Sequence, residues 1–326
     1  MPSFQAPSPS EVPVISLSGG QDQSRIAAAI KEACVKSGFF YVADHGVDEG
    51  LVQATFEQCR LFFSLPEAEK MKYLQDSNNR GYTPFEEETL DVTRQKKGDT
   101  KEGYYIGREV PLDHPDASTP LCGPNVWPDP DVLPLWRPTM ERYMAAMTAL
   151  ALRLTRLIGL ALGLPDGFFD RPGMFDKPSV FLRPLHYNAE PSAPEDGIFG
   201  AGAHSDYGML TLLKTDDVPG LQICLEKDAK VQQWIDVPPV PGAFIVNLGD
   251  MLERWSNDRF RSTLHRVIGR GQERYSIPFF FEPNFDCLVE CLPQCYSDDD
   301  PPKYAPIKAG HYLLDKYGMT HAGYKG

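Results

Sequence analysis

No run of roughly 20 apolar residues occurs in the 326-residue sequence, so no segment reads as a bilayer-spanning helix. Basic residues are also short: 32 Lys and Arg stand against 45 Asp and Glu, a formal charge of −13. Nucleic acid and anionic membrane surfaces both select clustered cations, so neither is expected as a partner. Met1 to Pro13 is rich in Pro and Ser and carries neither an apolar signal core nor an Arg-rich transit pattern, which predicts no targeting segment. The seven cysteines (34, 59, 122, 224, 287, 291 and 295) are odd in number and scattered. A disulfide scaffold is excluded, and reduced thiols in a cytoplasmic protein are expected. Cys287, Cys291 and Cys295 recur every fourth residue, but a zinc site calls for a fourth ligand and none is in view. They read as ordinary free cysteines.

What is present is a globular composition. Hydrophobic residues make up 42% and charged residues 24%, enough for one sizeable core. Glu11 to Leu17 predicts a strand, and Ser24 to Ser37 a helix with Ile26, Ala27, Ile30, Ala33 and Cys34 on one face. Phe39 to Ala43 is β-prone, Glu49 to Ser64 helical, and Leu135 to Leu162 a long helix. Between about residues 75 and 134 Gly, Pro and charge dominate without sustained period, as in a functional loop or lid. After Pro178, short β-prone runs alternate with turn residues, the texture of an all-β architecture, and Ile307 to Tyr324 predicts a closing helix. One domain over residues 1–326 is expected. It divides into an N-terminal layer (1–177), a β core (178–290) and a C-terminal extension (291–326).

The chemistry centres on Gly-Ala-His204-Ser-Asp206-Tyr-Gly. Residues i and i+2 of an extended segment share a face, so His204 and Asp206 can reach one ion. His265, in the β-prone Ser-Thr-Leu-His-Arg-Val-Ile, is the candidate third ligand. Two His and one carboxylate on one face of an ion leave open positions, the arrangement of non-haem Fe(II) oxygen chemistry. Alone, His-x-Asp is as well explained by a surface or capping pair. Arg274-Tyr-Ser276, nine positions after His265, adds a planar guanidinium and a hydroxyl on one strand face. That pair suits the distal carboxylate of a dicarboxylic acid, although Arg274 alone also fits a surface salt bridge.

These residues resemble the Fe(II)/2-oxoglutarate-dependent dioxygenase superfamily that includes isopenicillin N synthase. The likeness runs along nearly the whole chain: Val12-Pro-Val-Ile-Ser, Gly38-Phe-Phe-Tyr-Val, His45-Gly-Val, Phe62-Phe-Ser-Leu-Pro, Pro219-Gly-Leu-Gln222, Pro241 to Asp250, Leu264-His-Arg-Val and Arg274-x-Ser276 follow in family order. The resemblance implies a mainly β fold with flanking helices around a double-stranded β-helix, or jelly roll. It implies His204, Asp206 and His265 as iron ligands, and Arg274, Ser276 and Tyr187 as the 2-oxoglutarate site. Where the family often has Asn-x-Tyr, this chain has Leu185-His186-Tyr187. Asn79-Arg-Gly-Tyr82, Lys101 to Arg108, Trp127-Pro and Leu182-Arg-Pro-Leu-His-Tyr are similar to a subgroup with thymine 7-hydroxylase-like enzymes, fungal nicotinate-catabolism oxygenases and plant relatives.

That subgroup implies a small polar or heterocyclic substrate, with Asn79, Arg183, Tyr207 and Phe280 as candidate contacts. For Asn79, Tyr207 and Phe280, packing or a surface role explains the residue equally well, whereas Arg183 favours substrate contact. The expected reaction consumes dioxygen and 2-oxoglutarate, releases succinate and CO2, and uses ascorbate as reductant. Two other readings stand beside it. One is an iron oxidase in which Arg274 and Ser276 hold the substrate instead; the other is a binding protein that keeps the fold without turnover.

Overall fold

The computed structural model describes residues 12–18 and 22–320, without the side chains of 319 and 320. Glu11 and residues 321–324, included in the strand and helix expected at the two ends, lie outside it. The chain opens with β1 (Val14–Ser16), α1 (Gln23–Lys36), β2 (Phe39–Ala43), α2 (Glu49–Phe63) and the short α3 (Glu67–Lys70). β3 (Gly81–Thr83), β4 (Lys101–Gly107) and the long α4 (Trp136–Ala161) follow. The β-rich part contains β5 (Ser179–Leu182), β6 (Leu185–Tyr187), β7 (Ala201–His204), β8 (Leu210–Thr215), β9 (Leu221–Cys224), β10 (Ile235–Asp236) and β11 (Phe244–Leu248). It continues through α5 (Asp250–Trp255), β12 (Leu264–Val267) and β13 (Arg274–Glu282), and ends with β14 (Leu288–Val289), β15 (Ile307–Lys308) and α6 (Ala309–Thr320).

The strands form a jelly roll of two facing sheets. The larger has nine strands in the order β1-β2-β11-β8-β13-β5-β4-β3, with β6 pairing β13 and β4. The smaller runs β10-β9-β12-β7, and β14-β15 make a separate pair. Helices α1, α2 and α4 share one core with the back of the large sheet, built on Phe62, Trp136, Tyr143, Met147, Phe244 and Phe281.

Local chemistry explains the helices. Asp22 accepts a hydrogen bond from the Ser24 amide (3.0 Å) and Asp48 from the Gly50 amide (2.9 Å), so both α1 and α2 begin at a side-chain cap. The five apolar residues expected on one face of α1 are all buried. α4 spans 26 residues and, although charged and polar residues interrupt its apolar run, is long and apolar enough by composition to cross a membrane. In the fold it is a core helix, because its Met, Leu and aromatic positions pack against α1, α2 and the sheet.

Residues 75–134 are more ordered than their pattern predicts. β4 lies within the large sheet and every one of its seven residues is buried. It escaped notice because Lys101 and Glu102 are buried charges, and buried charges break a hydrophobic pattern. Lys101 pairs with Asp99 and with Glu88 (2.7 Å), while Glu102 receives Lys70 and Tyr82 (2.6 Å) and lies 2.7 Å from His186. Irregular chain remains at residues 108–134, apart from a short helical turn at Pro115–Ser118, and at residues 84–100, a loop laid across β7. There Asp99 accepts a hydrogen bond from the Gly202 amide (2.8 Å), and Leu90 reaches the cavity between the sheets.

Gly38 links α1 to β2 with φ of +65°, and a Cβ there would come within 2.2 Å of the Arg261 carbonyl oxygen. Gly38→Ala therefore meets both the left-handed penalty and a backbone clash. A loss of at least about 2 kcal/mol is expected from the denaturant midpoint, and a change below about 0.5 kcal/mol would refute the steric account.

Candidate metal and co-substrate site

His204 is the last residue of β7, and its direct partner across the antiparallel pair is His265 on β12. Their ring centroids lie 4.3 Å apart. Asp206 follows two residues later and places Oδ1 3.7 Å from His204 Nε2 and 3.6 Å from His265 Nε2. One ligand atom from each of the three lies within 4.8 Å of the others. Among the described residues no other His, Cys, Asp or Glu cluster has this geometry, and the cysteines at 287, 291 and 295 are free.

Surrounding groups fix which atoms face the centre. His204 Nδ1 lies 2.8 Å from the Gly202 carbonyl and His265 Nδ1 lies 3.0 Å from that of Thr263. A carbonyl can only accept, so each Nδ1 carries the proton and each Nε2 presents a lone pair. Asp206 Oδ2 accepts from the Thr211 hydroxyl (2.5 Å) and the Asn247 amide (2.7 Å), which leaves Oδ1 for the centre. Phe39 packs edge-on against His265 at 5.5 Å. Burial pushes the Asp206 carboxyl up, but His265, His204 and the two hydrogen-bond donors together hold it below the ordinary carboxylate value. Burial first, then His265, lowers His204 well below the usual imidazole value, so its ring is neutral at pH 7. Two imidazoles and one carboxylate converge on a point, which is the donor set that suits Fe(II).

The three residues line one wall of a cavity of about 70 Å³ between the sheets. From β13 the same cavity receives Arg274, Ser276, Pro278 and Phe280, the alternate residues of one strand face. Arg274 is 4% exposed and donates from Nε to the Val218 carbonyl (3.2 Å), its guanidinium carbon 4.9 Å from the centre of the Tyr187 ring. Its Nη1 is buried and has no hydrogen-bond partner. No carboxylate pairs with Arg274 among the described residues, so the fold presents a desolvated cation that a ligand's carboxylate would satisfy. Tyr187 and Arg274 are paired across β6 and β13. In the departure from Asn-x-Tyr, Leu185 turns an apolar side chain into the cavity, while His186 points away and stacks on Tyr275 at 4.7 Å.

The four residues suggested as substrate contacts divide. Arg183 and Phe280 line the cavity. Arg183 pairs with Glu88 at 3.0 Å and lies 4.2 Å over the Tyr105 ring, with Nε unpartnered. Tyr207 packs outside this lining, edge-on to Tyr317 of α6 at 6.1 Å. Asn79 does not reach the cavity: it occupies a turn with φ of +56°, and its Oδ1 accepts from Gln75 (2.6 Å). Thr211, Asn247, Lys101 and Leu90 also line the cavity and were not singled out from sequence. Asn247 lies in the Pro241 to Asp250 motif, which gave a signal but no role.

This architecture defines a non-haem oxygenase centre. The family described as non-haem dioxygenase in morphine synthesis N-terminal matches residues 12–130, and the 2OG-Fe(II) oxygenase superfamily matches 181–283. Kihadalactone A synthase of Citrus sinensis is 44% identical, over 96% of this chain and 95% of that protein. A 2-oxoglutarate-Fe(II) type oxidoreductase of Emericella nidulans is 37% identical over 93% and 86%. The solved thymine 7-hydroxylase of Neurospora crassa, with α-ketoglutarate and thymine bound, superposes with a TM-score of 0.82 at 31% identity, over 94% of this chain and 96% of that one. The chain belongs to the 2OG-Fe(II) oxygenase superfamily. It is a 2-oxoglutarate-dependent dioxygenase that uses Fe(II).

Thr211→Val and Asn247→Leu each remove one donor from Asp206 Oδ2 without touching a ligand atom. Each is expected to weaken Fe(II) binding about ten- to a hundredfold in an anaerobic metal titration. Unchanged affinity in both would show that these donors do not orient the carboxylate.

Proposed function

We propose that His204, Asp206 and His265 bind one Fe(II), and that Arg274, Ser276 and Tyr187 hold the distal carboxylate of 2-oxoglutarate. The bound iron and keto acid supply the activation of dioxygen, and the reaction releases succinate and CO2. The chain's own residues bind and orient. Arg274 and Ser276 set the length and angle of the co-substrate, Leu185, Leu213 and Val267 keep the cavity apolar, and Thr211 and Asn247 fix Asp206. The buried, unpartnered Arg274 Nη1 in the cavity that holds the triad carries this reading.

The outcome we infer is hydroxylation of a small, ring-bearing molecule, with ascorbate keeping the iron reduced and the cytoplasm as the compartment. The thymine in the Neurospora crassa relative supports a heterocyclic ring, and Arg183 and Phe280 are the substrate-facing residues that line the cavity. Residues 84–100 act as a cover that shields the centre from water, since Leu90 already faces the cavity and Glu88 ties the loop to Arg183 and Lys101.

Substitution of His204, Asp206 or His265 by Ala is expected to abolish succinate release, and retained activity in His265→Ala would remove it from the ligand set. Arg274→Ala should raise the 2-oxoglutarate KM by at least about a hundredfold, because the ligand carboxylate then lies buried without its counter-charge. Arg274→Lys should keep part of the affinity, and Ser276→Ala should lose less than Arg274→Ala. If oxygen uptake is independent of 2-oxoglutarate while substrate affinity collapses in Arg274→Ala, the guanidinium holds the substrate and the protein is an oxidase.

A further inference from the structure

Three arginines are buried among the described residues: Arg80, Arg183 and Arg274, at 1%, 5% and 4% exposure. Only Arg183 has a carboxylate partner, Glu88. Arg80 repeats the features of Arg274. Its guanidinium carbon lies 5.3 Å over an aromatic ring, that of Phe181, and it donates only to backbone carbonyls. Those are Asn78 (2.9 Å) and Asn79 (3.3 Å) from Nη1, and Leu121 (2.5 Å) from Nη2; Nε is buried and unpartnered. The carbonyls satisfy hydrogens but carry no formal charge, and a buried guanidinium without a counter-charge is costly. The fold makes room for it: a Cβ on Gly107 would come within 2.1 Å of Arg80 Nη2.

Arg80 opens onto a second cavity of about 170 Å³ that Arg108, Lys177, Leu121 and Phe181 also line. The acids there are already engaged. Asp116 receives Arg108 (2.8 Å) and Lys177 (3.2 Å), and Asp286 receives Lys308 (2.8 Å). Phe181 packs in one apolar cluster with Phe280, which lines the iron cavity, and with Leu313 and Tyr317 of α6, so this cluster lies between the two linings. Strand register gives the direction. Gly107 pairs with Phe181, Phe181 with Phe280, Phe280 with Thr211 and Thr211 with Asn247, one row across the sheet. Thr211 and Asn247 hold Asp206 at one end of the row, and Arg80 covers Gly107 at the other. Three strand steps of about 4.8 Å separate Thr211 from Gly107, roughly 14 Å.

We propose that Arg80 is a carboxylate anchor for the substrate, which is an apolar acid lying over Phe280 and Phe181 with its oxidised carbon beside the His204–Asp206–His265 centre. This rests on the reading of the centre given above. Arg274 and Arg80 then divide the two acids of the reaction between opposite ends of the cavity system, with co-substrate at one and substrate at the other.

The test uses the full chain with Fe(II) and 2-oxoglutarate under anaerobic conditions. The charge-transfer band of the iron–keto-acid complex reports binding near the metal. A graded series of ω-phenylalkanoic acids and their methyl esters is titrated while the band is followed. At least one acid is expected to bind about tenfold or more tightly than its ester, as a charge-assisted pair gives. Arg80→Gln should abolish that preference and leave 2-oxoglutarate affinity within about twofold, while Arg80→Lys keeps part of it. Because Arg80 also ties down carbonyls, Gly107→Ala is the second variant: it displaces the guanidinium, keeps the charge, and should weaken the acid and not the ester. Equal binding of acids and esters by the unmodified protein, or an acid preference that survives both Arg80→Gln and Gly107→Ala, overturns the proposal while the band stands. If the band does not form at all, the reading of the centre fails and this inference falls with it.

Discussion

Everything at the centre depends on one antiparallel pairing, that of β7 with β12, which sets His204 directly opposite His265. Two imidazoles on facing residues of neighbouring strands come within ring contact without any loop having to be placed. The third donor, Asp206, leaves the end of β7, and it is held by hydrogen bonds from the other sheet, Thr211 on β8 and Asn247 on β11. The metal site is therefore a joint between the two sheets, and its geometry is as rigid as their packing. A further backbone bond, from the Asp250 amide to the Asp206 carbonyl (2.8 Å), ties the same turn to α5.

Charge is distributed around that joint with a consistent logic. The chain is acidic overall, yet four of the cations it buries, Lys101, Arg183, Arg274 and Arg80, sit on or against the cavity-facing side of the large sheet, while Lys70 and Lys214 lie behind it. Lys101 and Arg183 are neutralised by Glu88 and Asp99 from residues 84–100. Among the described residues neither Arg274 nor Arg80 has a carboxylate within ion-pair distance, and each keeps a buried nitrogen without a partner. In a low-dielectric interior that difference points to ligands, because unpaired buried charge is costly and a bound carboxylate would offset the cost.

Parts of this were legible from residue order alone. The apolar face of α1 and the alternate side chains of β13 follow from local rules with short reach, and the structure has each of them. β4 was not legible, because its charges look like loop residues until Glu88, Asp99, Lys70 and His186 are brought to them from elsewhere in the chain. Where the Asn79 side chain lies was not legible either: its Oδ1 is held by Gln75, its Nδ2 is buried without a partner, and neither lines the cavity.

The sequence by itself determined the donor types and their order: His-x-Asp, a later His, then Arg-x-Ser, each with a two-residue period that an extended strand converts into one face. Tertiary structure alone decided which lone pairs face the centre, since Nδ1 of each His is claimed by a carbonyl and Oδ2 of Asp206 by Thr211 and Asn247. It alone decided which buried arginines lack a counter-charge. Pairing of buried charges depends on contacts between residues as far apart as Glu88 and Arg183, and spacing along a chain does not encode that distance in space.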